Sequence, residues 1–302
     1  MQIAYLHRLT FEETEKRFRE EAKELGAELT MIKYRQLKLV GDSIFFGGKN
    51  LVDFDLWYFR AVGSELEWAE LLKLYAKKNE IPVVDEYLLN EGPLQRFKSV
   101  MGVRLNSAAV PYPKTSMVES FADLNEELKK WPLPVIVKLS QGGRHGMGTF
   151  FIKTISDLEE LHKKLEERKN LAKEENKKPL AYRGFLIQEY IPNDGDFRVI
   201  TVGYQCIGGF KRQPKDESLV MNKSLGKSEK LDKIPEDVIE IAEKAAKVLQ
   251  VEVAGIDLAK DSRTGKIYII EVNEAPQFKA FEKRTGINAA GKILEYLCRK
   301  AK

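Results

Sequence analysis

Gly255-Ile256-Asp257-Leu258 and, one turn later, Ile270-Glu271-Val272-Asn273 decide how this chain is read. Each is an apolar strand pattern interrupted by oxygen-bearing side chains. The first strand spans residues 251–259 and the second 266–272. Asp261-Ser262-Arg263-Thr264-Gly265 between them is rich in turn residues, so the spacing predicts a hairpin. Pairing then brings Asp257 beside Glu271 and Asn273, and the last two, two apart on a strand, share a face. Three hard oxygen donors in an apolar frame suit Mg²⁺, which takes a few carboxylates and completes its octahedron with water and phosphate oxygens. A hairpin whose carboxylates simply face water has the same pattern. The choice between the two depends on what lies upstream.

The chain of 302 residues is long enough for two or three domains and a sizeable core. Hydrophobic residues make up 43% and charged residues 32%, which defines a soluble globular composition. The net charge of +4, from 50 basic and 46 acidic residues, argues against an electrostatic nucleic-acid binder. Only Cys206 and Cys298 occur, far apart, which fits a reducing compartment without a disulfide framework. The N-terminus lacks signal-peptide features, and no apolar run is long enough to span a membrane. A cytoplasmic location is the expectation.

Strands and helices alternate through the first third. Strands are expected at 2–6, 28–32, 56–60 and 81–84, helices at 11–25 and 65–78, and a hairpin over 43–52 around Gly47-Gly48. This is the pattern of a small open α/β domain over residues 1–93. Next come a helix at 94–105, a strand at 114–118, a helix at 122–130 and the apolar strand 134–139. A Gly-rich loop over 140–149 is closed by strand 150–153. A charged helix follows at 156–169, then a polar insertion at 170–181. Strand 184–190, the meander 197–202 and 205–212, a loop over 215–230, helix 235–249 and a last helix at 288–300 complete the chain. The expected division is 1–93, 94–186 and 187–302.

Upstream of the hairpin, Val135-Ile136-Val137-Lys138-Leu139 runs into Ser140-Gln141-Gly142-Gly143-Arg144-His145-Gly146-Met147-Gly148. Glycines let backbone N–H groups approach a polyphosphate without Cβ obstruction, and Lys138 adds a point charge. The Walker spacing is absent. A strand rather than a helix follows, so this is no dinucleotide fingerprint either. A flexible hairpin tip is the bland alternative, with His145 exposed in it. Phe185-Leu186-Ile187-Gln188-Glu189-Tyr190-Ile191 is a strand whose extended end can offer backbone groups to an adenine edge. Asp196 and Arg198 share a strand face and either serve ribose and phosphate or form a surface ion pair. Lys211, Arg212 and the loop Asn222-Lys223-Ser224-Leu225-Gly226-Lys227 add cations and amide donors of the kind phosphoryl transfer requires.

Taken in order, these segments resemble the ATP-grasp superfamily. They comprise Lys98, Lys138 before the Gly-rich loop, Gln188-Glu189-Tyr190-Ile191, Asp196-Phe197-Arg198, Arg212, Asn222, Gly255-Ile256-Asp257 and Glu271-Val272-Asn273. The nearest branch is the RimK-like carboxylate–amine ligases, which include ribosomal-protein glutamate ligase and a lysine-biosynthesis ligase. Val110-Pro111-Tyr112-Pro113-Lys114-Thr115 and the tail Glu282-Lys283-Arg284-Thr285-Gly286-Ile287-Asn288-Ala289-Ala290-Gly291-Lys292 strengthen that likeness. It covers residues 94–300, while 1–93 matches as a pre-ATP-grasp α/β domain.

The resemblance implies an α/β (α+β) fold with the nucleotide held between two lobes. It implies ATP and Mg²⁺, or Mn²⁺ in its place. It also implies an amide-forming reaction between a carboxylate and an amine through an acyl phosphate, and oligomers of like chains. Lys98 and Lys138 would contact phosphates, and Ser140, Gly142, Gly143, Gly146 and Gly148 would belong to a lid. Gln188, Glu189, Tyr190 and Ile191 would line the adenine slot, Asp196 would take ribose, and Asn222 would belong to the nucleotide site. Arg198 and Arg212 would be catalytic, at the γ-phosphate and the acyl phosphate. Asp257, Glu271 and Asn273 would hold the metal. His7 and Arg60 either face the acceptor cleft or are structural. The chain departs from the pattern at Gln277, where a glycine is expected, and in a Gly-rich loop about one residue longer than usual. Other readings are a peptide-modifying macrocyclase, a glutathione-synthetase-like enzyme, or a nucleotide-binding regulator without ligase turnover.

Overall fold

A computed structural model describes residues 1–8, 12–140, 148–174, 184–213, 228–231 and 233–301. The chain opens with β1 (Gln2–His7), buried from Ile3 onward. Next is α1 (Glu12–Glu24), whose acidic first turn and Lys23 near its end suit the helix dipole. Phe18 and Ala22, four apart, form its buried stripe. Gly26, at φ +65°, ends it, and the Ala27 N–H closes back on the Ala22 carbonyl at 2.9 Å. β2 (Glu28–Lys33) runs parallel to β1. A separate three-stranded sheet of β3 (Leu37–Val40), β4 (Ser43–Phe46) and β5 (Lys49–Asn50) contains the expected hairpin. Its first strand was not expected. β6 (Leu56–Ala61), α2 (Leu66–Lys78) and the short β7 (Val83–Val84) complete the parallel sheet, in the order β2-β1-β6-β7.

After α3 (Tyr87–Asn90), the expected helix over 94–105 is broken. A 3-10 turn at Pro93–Arg96 ends in an extended Phe97, and α4 (Lys98–Ser107) starts afresh. Lys98 therefore lies at a helix N-terminus rather than inside a helix. β8 (Thr115–Val118), α5 (Phe121–Leu128), β9 (Val135–Leu139), β10 (Thr149–Ile152), α6 (Ile155–Glu174) and β11 (Phe185–Glu189) make the central lobe. Its antiparallel sheet has the order β10-β9-β11-β8. Ser120 caps α5 with a reciprocal bond to Asp123. β11 runs across the expected division at 186/187, and its whole length pairs with β9.

The last sheet is formed by β12 (Asp196–Val202), β13 (Gln205–Arg212), β14 (Ser228–Lys230), β15 (Val253–Lys260) and β16 (Ile267–Asn273), with α7 (Glu236–Leu249) before the final hairpin. Its order is β14-β13-β12-β15-β16. α8 (Lys279–Thr285) and α9 (Ala289–Lys300) close the chain. No helix among the described residues is long and apolar enough to cross a membrane.

The cores do not follow the linear order. One joins Leu6, Trp57 and Phe59 of the first sheet and Leu72 of α2 to Val199, Ile256 and Leu258 of the last sheet and Ala246 of α7. A second joins Ile3, Tyr5 and Phe18 to Ile200, Phe281, Ile293 and Leu297. The central lobe has its own core around Leu124, Val137, Leu161 and Ile187. Polar ties reinforce the first-to-last union. Asp85 Oδ1 accepts from Val253 N at 2.9 Å, and Glu252 Oε2 accepts from Glu86 N at 2.9 Å.

Asp85 Oδ2 has no hydrogen-bond partner among the described residues, and burial, with the charge of Glu252 adding, holds this carboxyl well above the usual range. A raised folded-state value means that stability is full below the ordinary carboxylate pKa and is lost as pH rises toward the folded value. Asp85→Asn keeps the acceptor for Val253 and removes the charge. Calorimetric melting should show a gain of a few degrees at pH 7.5 that shrinks toward zero near pH 4.

Candidate active site

Strand register builds the site. Arg198 on β12 lies opposite Asp257 on β15, which lies opposite Glu271 on β16. Arg212 on β13 lies opposite Asp196 on β12. Toward the other end of the same strands stand Ile200, Val202 and Val253, buried with α8 and α9. β12 thus changes from an apolar to a charged lining at Arg198. A bulge between Asp257 and Leu258 keeps the two carboxylates in register while the strands continue.

Arg198 Nη1 donates to Asp257 Oδ1 at 2.8 Å, and Arg212 Nη2 reaches across β12 to the same oxygen at 3.0 Å. Arg212 Nε also donates to Asp196 Oδ2 at 2.8 Å. Burial raises the Asp257 carboxyl, but Arg198 and Arg212 outweigh it and hold the group below the ordinary range. Asp196 goes the other way: burial lifts it, Arg212 opposes, and the neighbouring charge of Asp257 adds to the lift. Burial lowers Arg212, yet the two aspartates more than reverse this. Removing one partner of such a buried pair costs about 3–5 kcal/mol, because the other charge is left uncompensated.

Gly255 sits on the same face, opposite Asn273. A Cβ there would lie 2.7 Å from Arg198 Nη2 and 2.8 Å from Pro276 Cβ. Glycine is therefore required by the packed guanidinium rather than by backbone strain.

The central sheet presents its own cation to this row. Lys138 is 6% exposed and donates to Gln188 Oε1 at 2.5 Å, while Gln188 Nε2 donates to Thr115 Oγ1 at 3.1 Å. Burial pulls the Lys138 ammonium down to about 8; Glu271 and Asp257 oppose the fall and Lys98 adds to it. Lys98 Nζ stands 3.5 Å from Glu271 Oε1. Tyr112, packed on Gly102, also bonds Gln188.

The expected residues thus gather, with different pairings. Asp196 pairs with Arg212, not with its strand neighbour Arg198. Asp257 and Glu271 face each other, with Asn273 half-buried next along the strand. Among the described residues no three His, Cys, Asp or Glu side chains form a ready metal cage. Two carboxylates and an amide are nonetheless the hard-oxygen donors that Mg²⁺ takes, with its remaining positions left for water and phosphate. β11 ends at Glu189, the Tyr190 ring lies tilted at 59° against Phe151 with centroids 4.7 Å apart, and Ile191 is buried. Ser140 is buried, its Oγ without a hydrogen-bond partner among the described residues, and Gly148 O accepts from Leu139 N at 2.8 Å. Gly142, Gly143, Gly146, His145 and Asn222 lie outside the described residues. The support of Gln188 by Thr115 and Tyr112 was not foreseen from the sequence; its signal was the Pro111-Tyr112-Pro113 segment.

This architecture is the ATP-grasp fold. The RimK domain ATP-grasp protein of Sphaerobacter thermophilus superposes with TM-score 0.69 at 18% identity, covering 98% of this chain and 99% of that one. The ATP-grasp ligase PsnB, solved with a precursor variant, Mg and ADP, gives 0.70 at 16%, covering 99% and 98%. Residues 95–297 match the RimK-like ATP-grasp domain, and the chain belongs to that family. It is similar to a probable alpha-L-glutamate ligase of Legionella pneumophila, with 28% identity over 100% of this chain and 97% of the relative. It is also similar to the ribosomal protein bS6–L-glutamate ligase of Escherichia fergusonii, with 27% over 100% and 97%. The chain is an ATP-dependent carbon–nitrogen ligase that forms an amide and releases ADP.

Gly255→Ala is expected to displace Arg198 from Asp257. It should lower the rate of ADP release by about tenfold or more while the protein still melts cooperatively. Wild-type turnover in that variant would show that the guanidinium need not sit there.

Proposed function

We propose that Mg·ATP lies between the central and last sheets, where a carboxylate is phosphorylated and then captured by the amine of an amino acid. The observation that carries this reading is Lys138. It stands on one sheet, within the field of Glu271 and Asp257 on the other. A cation suited to phosphate thus lies near a row of acidic oxygens, and Lys98 stands 3.5 Å from Glu271, which supports a phosphate site between the two sheets.

In this reading Lys98 and Lys138 bind the nucleotide phosphates, with Ser140, Gly142, Gly143, Gly146 and Gly148 covering them. Gln188 orients Lys138 and, with Glu189, Tyr190 and Ile191, borders the adenine. Asp196 takes ribose, and Asn222 joins the site from its loop. Asp257, Glu271 and Asn273 would hold Mg²⁺, or Mn²⁺ in its place, which when bound neutralises phosphate oxygens.

A substrate carboxylate oxygen bonds to the γ-phosphorus as the bridge to ADP breaks. The uncharged amine nitrogen then bonds to the acyl carbon, the carbon–oxygen electron pair leaves with phosphate, and the nitrogen's extra proton passes to the departing phosphate. Arg198 and Arg212, held in place by Asp257 and Asp196, are aimed at the charge that develops. Such preorganised cations need no rearrangement at the moment of reaction. Alignment and exclusion of water supply the rest. No side-chain nucleophile is needed.

The similar proteins named for glutamate make L-glutamate the first amine substrate to test, with a peptide or protein carboxylate as its partner. Gln277, in place of the expected glycine, is positioned to alter that choice. A cytoplasmic location follows from this chemistry, because ATP is supplied there.

Turnover should be read as ADP and product mass together, over a panel of amino acids and carboxylates. ADP release that ignores both substrates would defeat the ligase assignment. Glu271→Gln should abolish Mg²⁺-dependent turnover while the fold persists. The Kd for Mg·ATP should weaken as pH rises above 8, approaching about tenfold per unit, because the bound form needs the Lys138 ammonium. Lys138→Met should bind weakly at every pH, and a sloping profile in that variant would remove the lysine from the site.

A further inference from the structure

The first sheet has a switch point that the phosphate chemistry does not use. The chain passes from β1 to β2 on one side and returns to β6 on the other. α1 covers one face through Phe18 and Ala22, and α2 covers the opposite face through Ala69 and Leu72. In open parallel sheets, ligands bind beyond the carboxyl ends of the strands at such a point. Here those ends are His7 of β1 and Arg60-Ala61 of β6. The register slips between them: Leu6 pairs with Phe59 but His7 pairs with Ala61, leaving Arg60 as the extra residue. Irregularities of this kind re-aim a side chain.

Arg60 is 1% exposed. Its Nη2 donates to the Pro276 carbonyl at 2.5 Å, while Nε and Nη1 have no hydrogen-bond partner among the described residues. Arginine keeps its charge at any working pH, and a buried cation without an opposite charge is unfavourable. Two carboxylates on adjoining segments, Glu15 of α1 and Glu274 just before Pro276, are already engaged. Glu15 faces His7 at 3.4 Å and Arg19 at 3.8 Å, and Glu274 faces Arg96 at 3.5 Å and also accepts from Tyr87. Pro276, which accepts from Arg60, is also the residue packed against Gly255 beside the Arg198 guanidinium. Arg60 therefore stands one proline away from the charged row.

We infer that Arg60 binds the α-carboxylate of the amino acid whose amine is joined. This rests on the ligase reading above and adds the group that orients the second substrate. A guanidinium meets a carboxylate with short, charge-assisted bonds in a fixed plane. Anchoring the acid at the switch point turns its amine toward the acyl carbon near Arg198, which places the two reactants rather than altering either. Arg60 forms and breaks no bond in the reaction.

The test uses the full chain with Mg·ADP, titrated calorimetrically with each standard L-amino acid and then with the α-amide of any that binds. Wild type should bind at least one amino acid, and its α-amide about tenfold or more weakly. Arg60→Met should lose that amino acid by a similar factor, keep Mg·ADP affinity within about twofold, and no longer distinguish acid from amide. If Arg60→Met fails to bind Mg·ADP, Arg60→Lys is read instead. It keeps the charge without the planar fork and should bind the amino acid about tenfold more weakly. Equal binding by wild type and variant, equal binding of acid and amide, or binding of no amino acid overturns the inference. A protein that still forms amide with unchanged KM in Arg60→Met loses this inference alone. One that releases no ADP with any substrate pair loses the ligase reading.

Discussion

The site depends on the neutralisation of Asp257. A carboxylate this deeply buried is tolerable only because Arg198 and Arg212 share one of its oxygens, at 2.8 and 3.0 Å. The same contacts fix the two guanidinium groups, which long flexible side chains would otherwise leave mobile. Asp196 adds a second restraint on Arg212. The pairing that makes burial acceptable therefore also fixes where the positive charge sits. Gly255 belongs to this arrangement because any side chain there would occupy the space of Arg198.

The second constraint is the approach of two sheets with unlike roles. The last sheet supplies oxygen donors and arginines, and the central sheet supplies Lys138 on a face opposite its own apolar core. Lys138 donates to Gln188, which Thr115 and Tyr112 hold in turn, and none of the three carries a charge to offset it. Burial pulls its ammonium down to about 8, and Glu271 and Asp257 offset only part of that fall. Lys98 reaches the same place from the start of α4, next to Glu271.

Much of this was legible in the sequence where local rules act alone. The hairpin could be read because Asp261 to Gly265 has turn chemistry and both flanks have strand composition. The pairing of Asp257 with Glu271 followed from it. Helix α1 could be read from its apolar spacing and from Gly26. Three features were hidden, each for a physical reason. The break at Phe97 lies inside a helical apolar pattern, and only tertiary packing converts Pro93–Arg96 into a separate turn. The partners of Arg198 and Arg212 depend on which strands lie side by side, and strand period alone proposed Asp196 for Arg198. The unions of cores depend on contacts between residues some two hundred positions apart, which no local pattern encodes. The family likeness located the lysines and acids but said little about Arg60, because its setting comes from sheet order and a slipped register.

The sharing of cores between the ends of the chain has a bearing on how the protein is made. Ile3 and Tyr5 are completed by Ile293 and Leu297, whereas the core around Val137 and Ile187 draws on a single stretch of about seventy residues. On a ribosome the middle lobe can therefore close while translation is still under way. The opening βαβ unit must wait, with one apolar flank uncovered, until the final helix has emerged. Vectorial synthesis thus leaves the βαβ unit, made before the middle lobe, to find its complete set of neighbours after it, and it is this unit that chaperones would have most reason to shield.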